Sequence, residues 1–216
     1  LERVERGVFI TFEGGEGGGK STQVRRLAER VRASGREVVL TREPGGSPGA
    51  EALRSLLVTG AVDRWSPLSE ALIMNAARCD HLERLIRPAL GRGAVVISDR
   101  FMDSTRAYQG AAGGVDPAVI AALEDAVVGG ARPDLTLVLD LDPALGLARA
   151  GGRGEGESRF EEKGRAFHAR LRAAFLMIAK AEPNRCVVIP AGQAADAVEA
   201  AIWAAVTSRF PLHAPT

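Results

Sequence analysis

Gly14-Gly15-Glu16-Gly17-Gly18-Gly19-Lys20-Ser21-Thr22 follows directly on an apolar run, Val8 to Phe12, and opens a helical pattern from Thr22 to Ala33 that ends at Gly35. The stretch satisfies G-x-x-x-x-G-K-[ST] in the strand-then-helix setting that gives this motif its meaning. Glycines let the backbone wrap a phosphate closely, the helix start offers unpaired N–H donors, and Lys20 adds a fixed positive charge. Ser21 is suited to bind a magnesium ion. A glycine-rich turn with a helix cap is the plain alternative, but the position between strand and helix favours a nucleotide. Lysine is also scarce here, limited to Lys20, Lys163 and Lys180 against many arginines, so chance explains this slot poorly.

Outward from the cradle, short runs rich in Val, Ile and Leu recur at Glu37 to Thr41, Ala94 to Ser98, Leu135 to Asp140 and Cys186 to Ile189. With Val8 to Phe12 they read as five buried strands. Helical patterns lie between them, the longest over Leu68 to Leu90. Alternating strand and helix implies a parallel sheet covered on both faces by right-handed crossovers. The expected fold is α/β, a P-loop NTPase-type three-layer arrangement with a five-stranded parallel sheet flanked by helices, residues 1–216 forming one domain. Ligands then bind beyond the carboxyl ends of the strands. One segment breaks the pattern: Arg149 to Arg159 mixes Gly151, Gly152, Gly154 and Gly156 with charges. It reads as a short mobile lid over about 149–160, too polar to pack and too rich in glycine to be rigid.

Each remaining motif begins where a strand ends. The second strand runs into Thr41-Arg42-Glu43-Pro44-Gly45-Gly46, an arginine at the sheet edge followed by a tight turn fit for an acceptor phosphate. The third ends in Asp99-Arg100 and continues Phe101-Met102-Asp103-Ser104-Thr105-Arg106-Ala107-Tyr108-Gln109-Gly110. Asp99 is placed to hold magnesium through water and Arg100 to grip phosphate in a forked geometry. Alone, such a pair reads as a surface ion pair; beside the cradle, the catalytic reading is better. Glu16 would repel a phosphate, so it faces either a sugar hydroxyl of a second substrate or solvent as a helix-capping acid; the first is favoured, since an acid set against its own site usually has a second task. Met74 and Arg78 are four apart on one helix face. They either flank a ligand base or form a core residue with a rim charge, and spacing alone favours the core reading. His81, His168 and His213 show no partner pattern and read as solvent or packing residues, and Trp65 and Trp203 as apolar anchors.

The formal net charge of +1 argues against holding a nucleic-acid backbone. Cys79 and Cys186 are far apart in apolar segments, which supports neither a disulfide framework nor a zinc cluster and fits a reducing cytosol. No apolar run approaches the ~20 residues needed to cross a bilayer. The chain opens on Leu1 rather than methionine, and Leu1 to Gly7 is too charged for a signal sequence. A cytoplasmic protein without membrane or nucleic-acid partners is expected.

The segment Asp99-Arg100-Phe101 with Ser104-Thr105 and Ala107-Tyr108-Gln109 resembles the signature of thymidylate kinases. The cradle, Thr41 to Gly46 and Pro133 to Pro143 follow in the order that family shows, so the resemblance covers nearly the whole chain. It implies transfer of the γ-phosphoryl of ATP to dTMP in dTTP synthesis, with Mg2+ and a homodimeric assembly. By resemblance, Gly14 to Thr22, Arg149, Arg159 and Gln193, in the turn Ala191-Gly192-Gln193, contact ATP. Glu16 contacts the acceptor sugar, Arg42 and Arg100 the acceptor phosphate, and Arg78 the thymine. Met74, Thr105, Tyr108 and Gln109 line base and sugar, Tyr108 leaving no room for a ribose 2′-hydroxyl. Ser21 and Asp99 serve the metal.

Two departures carry consequences. The family places a phenylalanine four residues before the base-binding arginine, where this chain has Met74, so stacking on thymine is weaker and less selective. One branch carries an arginine within the cradle, where this chain has Gly17. The transition-state arginine is then expected from the lid, with Arg153 first and Arg149 and Arg159 close behind. Phosphoryl transfer asks mainly for alignment and positive charge, so Lys20, Arg100 and Arg153 are the expected catalytic groups. A kinase for another nucleoside monophosphate is the near rival, but adenylate kinases place glycine after the cradle lysine, where Ser21 stands. A non-catalytic nucleotide-binding module or guanine switch is the other, although neither Asn75 nor Asn184 is followed by lysine.

Overall fold

The computed structural model describes residues 6–150, 160 and 163–210. Strands Phe9–Glu13 (β1), Val38–Arg42 (β2), Val95–Asp99 (β3), Leu135–Asp140 (β4) and Cys186–Pro190 (β5) form one sheet in the order β2-β3-β1-β4-β5, every pairing parallel. Four of the five strands run one residue beyond the apolar run that announced them. Their backbones keep pairing through polar residues, so Glu13, Arg42 and Asp99 occupy the last rung of their strands. In register, Phe12 and Arg42 both lie beside Asp99, while Glu13 lies beside Val138. The carboxyl ends of β1, β2 and β3 therefore share one rim, and the chain crosses over β1 to reach β4 at the switch point where such sheets bind ligands.

Helices follow as Lys20–Ala33 (α1), Pro48–Val58 (α2), Pro67–His81 (α3), Arg87–Gly91 (α4), Met102–Thr105 (α5), Pro117–Val127 (α6), Pro143–Ala150 (α7), Arg165–Ala181 (α8) and Ala195–Thr207 (α9). The pattern over 68–90 predicts one helix; the structure inserts a π-helical turn, Leu82–Ile86, between α3 and α4. Pro88 explains the break, because it has no N–H with which to continue the regular ladder, and the Arg87 amide instead reaches the Leu82 carbonyl.

Both faces of the sheet are buried, as its continuous apolar strands require. Ile10, Phe12, Ile97, Leu137 and Ile189 pack one face against Val24, Leu27 and Val31 of α1 and Val198, Ile202 and Val206 of α9. On the other, Phe9 and Val96 meet Leu82, Ile86, Leu90 and Phe101, the Phe9 and Phe101 rings lying edge to face at 4.9 Å. A third cluster joins Tyr108 and Val138 to Leu171 and Phe175 of α8. Among the described residues no helix is long and apolar enough to cross a membrane.

Candidate active site

The cradle leaves β1 at Gly14 and ends at Gly19, in left-handed conformation before α1. Gly17 is left-handed too (φ 67), and a Cβ there would lie 2.0 Å from the carbonyl oxygen of Gly146 in α7. The cradle thus packs backbone to backbone against α7, and no side chain fits at Gly17 unless α7 moves. That is a physical reason for the missing cradle arginine. Lys20 is buried and folds back over the loop, its Nζ donating to the carbonyls of Gly14 at 3.2 Å and Gly15 at 2.7 Å. Burial and the neighbouring Arg100 charge lower its pKa, against the pull of Glu16 and Asp99. One of its three N–H groups remains for a phosphate.

Ser21 Oγ donates to Asp99 Oδ2 at 2.8 Å, joining the start of α1 to the end of β3. A hydroxyl and a carboxylate at the cradle lip are the hard oxygen donors magnesium prefers, and that ion completes its octahedron with phosphate and water rather than an all-protein cage. The residues therefore fit the ion.

Glu16 turns away from the loop it belongs to. Its Oε1 accepts from Arg100 Nη2 at 2.7 Å and from the Tyr108 hydroxyl at 2.5 Å, and the Arg100 guanidinium lies 5.0 Å from the centre of the Tyr108 ring. Burial opposes ionisation of Glu16, but Arg100, Lys20 and the Tyr108 hydrogen bond outweigh it and hold its pKa down to about 2. Burial raises the Tyr108 hydroxyl well above its ordinary value, so it stays a donor. Glu16 is therefore not an exposed helix-capping acid, the less favoured reading: it is paired with Arg100 and Tyr108.

Arg100 is the one non-glycine residue with positive φ among the described residues (φ 69). Such strain costs on the order of 1–3 kcal/mol and persists where surroundings enforce it. Its N–H bonds the Phe12 carbonyl at 2.9 Å, its carbonyl accepts from Ser98 Oγ at 2.7 Å, and Nη1 reaches Gly14 O at 3.1 Å and Ser104 Oγ at 3.2 Å. Arg42, by contrast, is half exposed and among the described residues pairs with Glu51, at 3.1 Å.

Arg78 is buried, which corrects the rim-charge reading drawn from spacing. Its Nε bonds Glu43 Oε2 at 2.8 Å, Nη1 bonds Asn75 Oδ1 at 3.2 Å, and Nη2 serves Phe101 O at 3.2 Å and Thr105 Oγ1 at 3.0 Å. Four of its five N–H donors are used, leaving one at Nη1 for a ligand. Met74 lies one turn earlier on α3, partly buried. Gln109 is buried, with Nε2 on Glu70 Oε2 at 3.0 Å and Oε1 without a hydrogen-bond partner among the described residues. Of the two readings of His81, solvent or packing, burial leaves packing: it bridges Thr41 Oγ1 at 2.6 Å and Glu43 Oε1 at 3.1 Å, tying the turn after β2 to α3. His168 is buried beside the cavity that Glu16 lines.

On the other side of β1, the exposed Gln193 follows β5, and Arg149 Nη1 reaches the Ala191 carbonyl at 3.4 Å. The sheet order thus separates the residues: Arg42, Arg78, Arg100 and Thr105 gather on the β2–β3 side, Arg149 and Gln193 on the β4–β5 side, with the cradle between and Tyr108 packed against Val138 and α8. Arg153, Arg159 and most of the lid over 149–160 lie outside the described residues. Glu13, Glu43 and Glu51 escaped the sequence reading. Glu13 alone left a signal, a carboxylate at the end of an apolar strand beside the cradle.

The sequence model of the family described as thymidylate kinase matches residues 12–202. The chain is 63% identical over 207 residues to the thymidylate kinase of Caulobacter vibrioides, covering 96% of this chain and 99% of that one. It is 55% identical over 201 residues to the thymidylate kinase of Dinoroseobacter shibae, covering 93% and 97%. A crystal structure of thymidylate kinase from Ehrlichia chaffeensis superposes with a TM-score of 0.77 at 35% identity, over 93% of this chain and 99% of that one.

Proposed function

The chain belongs to the thymidylate kinase family and phosphorylates dTMP with ATP to give dTDP and ADP, and from that premise we propose how its residues carry the transfer. The observation behind the assignment is the contact of Glu16 with Arg100 and Tyr108, which joins the donor cradle to the acceptor side by two short bonds. A binding module with no chemistry would have no use for that join.

ATP lays its phosphates in Gly14 to Thr22, with Lys20 over them and Arg149 and Gln193 on the side of its base. Ser21 and Asp99 would hold Mg2+, which when bound would screen the charge on the phosphates. Arg100 and Arg42 fix the dTMP phosphate in line. The spare Nη1 donor of Arg78 meets a thymine carbonyl, with Met74, Thr105 and Gln109 around the ring. Glu16 accepts from the sugar hydroxyl and Tyr108 closes the 2′ side. The acceptor oxygen is already anionic, so alignment and charge suffice without a strong general base. With Gly17 closed to a side chain, the charge on the moving group falls to an arginine of 149–159, Arg153 first. A coupled ADP-release assay with ATP and a panel of nucleoside monophosphates tests the assignment. Release fastest with dTMP and slower with dUMP is expected, and equal release with dCMP or AMP would overturn the base-side roles.

Residues 1–216 are proposed to act as one cytoplasmic kinase unit. Association as a homodimer is supported by Leu68 and Leu72, four apart on α3 and exposed although large and apolar. Sedimentation at assay concentration checks it.

A further inference from the structure

Glu13, the last residue of β1, has no part in the roles above, yet its carboxyl is wholly buried. Its Oε1 accepts from the backbone N–H of Phe101 at 2.8 Å and of Ser104 at 3.2 Å, and its Oε2 bonds the Ser104 hydroxyl at 2.6 Å. All three partners belong to the turn that follows Arg100. The Ser104 oxygen in turn accepts from Arg100 Nη1 at 3.2 Å, giving an unbroken path from Glu13 to the guanidinium. We propose that Glu13 is a positioning residue for the transfer, its carboxyl clamping the 101–104 turn so that left-handed Arg100 presents its guanidinium to the acceptor phosphate. This rests on the reading of Arg100 as the acceptor-phosphate ligand.

Three features favour a clamp over filler. An apolar residue would fill the space without the desolvation that a buried carboxyl incurs. α5 is a single turn, so its first N–H groups need partners from outside the helix. Finally, strained backbone endures only where surroundings over-determine it, and Glu13 holds the residue immediately after the strained one. The charges around it are Asp103, already paired with Arg185 at 2.7 Å, together with Arg100 and Lys20. Burial, then Asp103, raise the Glu13 carboxyl to about 8, so an amide is its nearest mimic at neutral pH.

The test is steady-state kinetics on Glu13→Ala, Glu13→Gln, Arg100→Ala and the double variant Glu13→Ala/Arg100→Ala. Glu13→Ala is expected to raise KM for dTMP about tenfold or more while KM for ATP moves less than about twofold, with Glu13→Gln recovering most of the loss. In the Arg100→Ala background, removing Glu13 should cost almost nothing further, since coupled residues are not additive. Additive losses, or equal damage to both KM values, would overturn the clamp. If Arg100→Ala leaves KM for dTMP unchanged, the reading of Arg100 itself fails, a separate outcome. Should Glu13→Ala not fold, Ser104→Ala breaks the same path on the surface side, and an unchanged KM for dTMP there overturns the proposal.

Discussion

Arg100 Nη2 lies 2.7 Å from Glu16 Oε1, so the arginine that follows β3 is paired with an acid of the glycine-rich cradle. The cradle and the rim at the end of β3 are therefore not independently placed. A shift of the cradle moves the partner of Arg100, and the Tyr108 hydroxyl on the same oxygen extends the link to the helical segment after α5. An acid in a phosphate cradle is tolerable because its charge is spent on a neighbouring arginine.

This pairing makes stability depend on acid pH. Glu16 is depressed from 4.5 to about 2, so its contribution is present above the unfolded value of 4.5 and is lost as pH falls through about 2. The size is roughly 3 kcal/mol at neutral pH. Urea unfolding of the wild type and Glu16→Gln between pH 7 and pH 3 should show a gap that narrows steadily with acid. A gap independent of pH would contradict the ion-pair account.

Gly17→Arg should not supply the missing cradle arginine. Left-handed backbone and the Gly146 carbonyl 2.0 Å from the would-be Cβ predict a loss of roughly 1–3 kcal/mol and reduced activity. Thermal unfolding together with kcat checks this; a stable, more active variant would show that α7 yields.

Lys20→Ala removes the cation that spans the cradle carbonyls. kcat should fall about 10²–10³-fold, the usual effect of losing one preorganised charge stabiliser. Retained turnover would mean that other groups hold the phosphates.

Met74→Phe should sharpen the preference for thymine over other pyrimidines, because a ring stacks on the base where a thioether only packs. kcat/KM measured for dTMP and dUMP gives the ratio directly. No change would place the base away from this turn of α3.

The cradle, the five strands and the arginines at strand ends were legible in the sequence because each depends on local pattern: glycine spacing, apolar period and the chemistry of a residue where a strand stops. Arg78 and His81 were not. Both sit on a helix with Glu43 as common partner 35 and 38 residues earlier, and no local period encodes such a meeting. Gly17 was legible as a departure, but its reason, the α7 backbone against it, was not.

The sequence by itself determined that a phosphate-binding loop opens a parallel α/β sheet and that acids and arginines stand at its rim, since short-range pattern and residue chemistry suffice for that. Only the tertiary structure decided their partnerships. Pairing β3 beside β1 brings Arg100 and Tyr108 within hydrogen-bonding distance of Glu16, 84 and 92 residues earlier in the chain, and burial there makes each charge depend on its neighbour rather than on solvent.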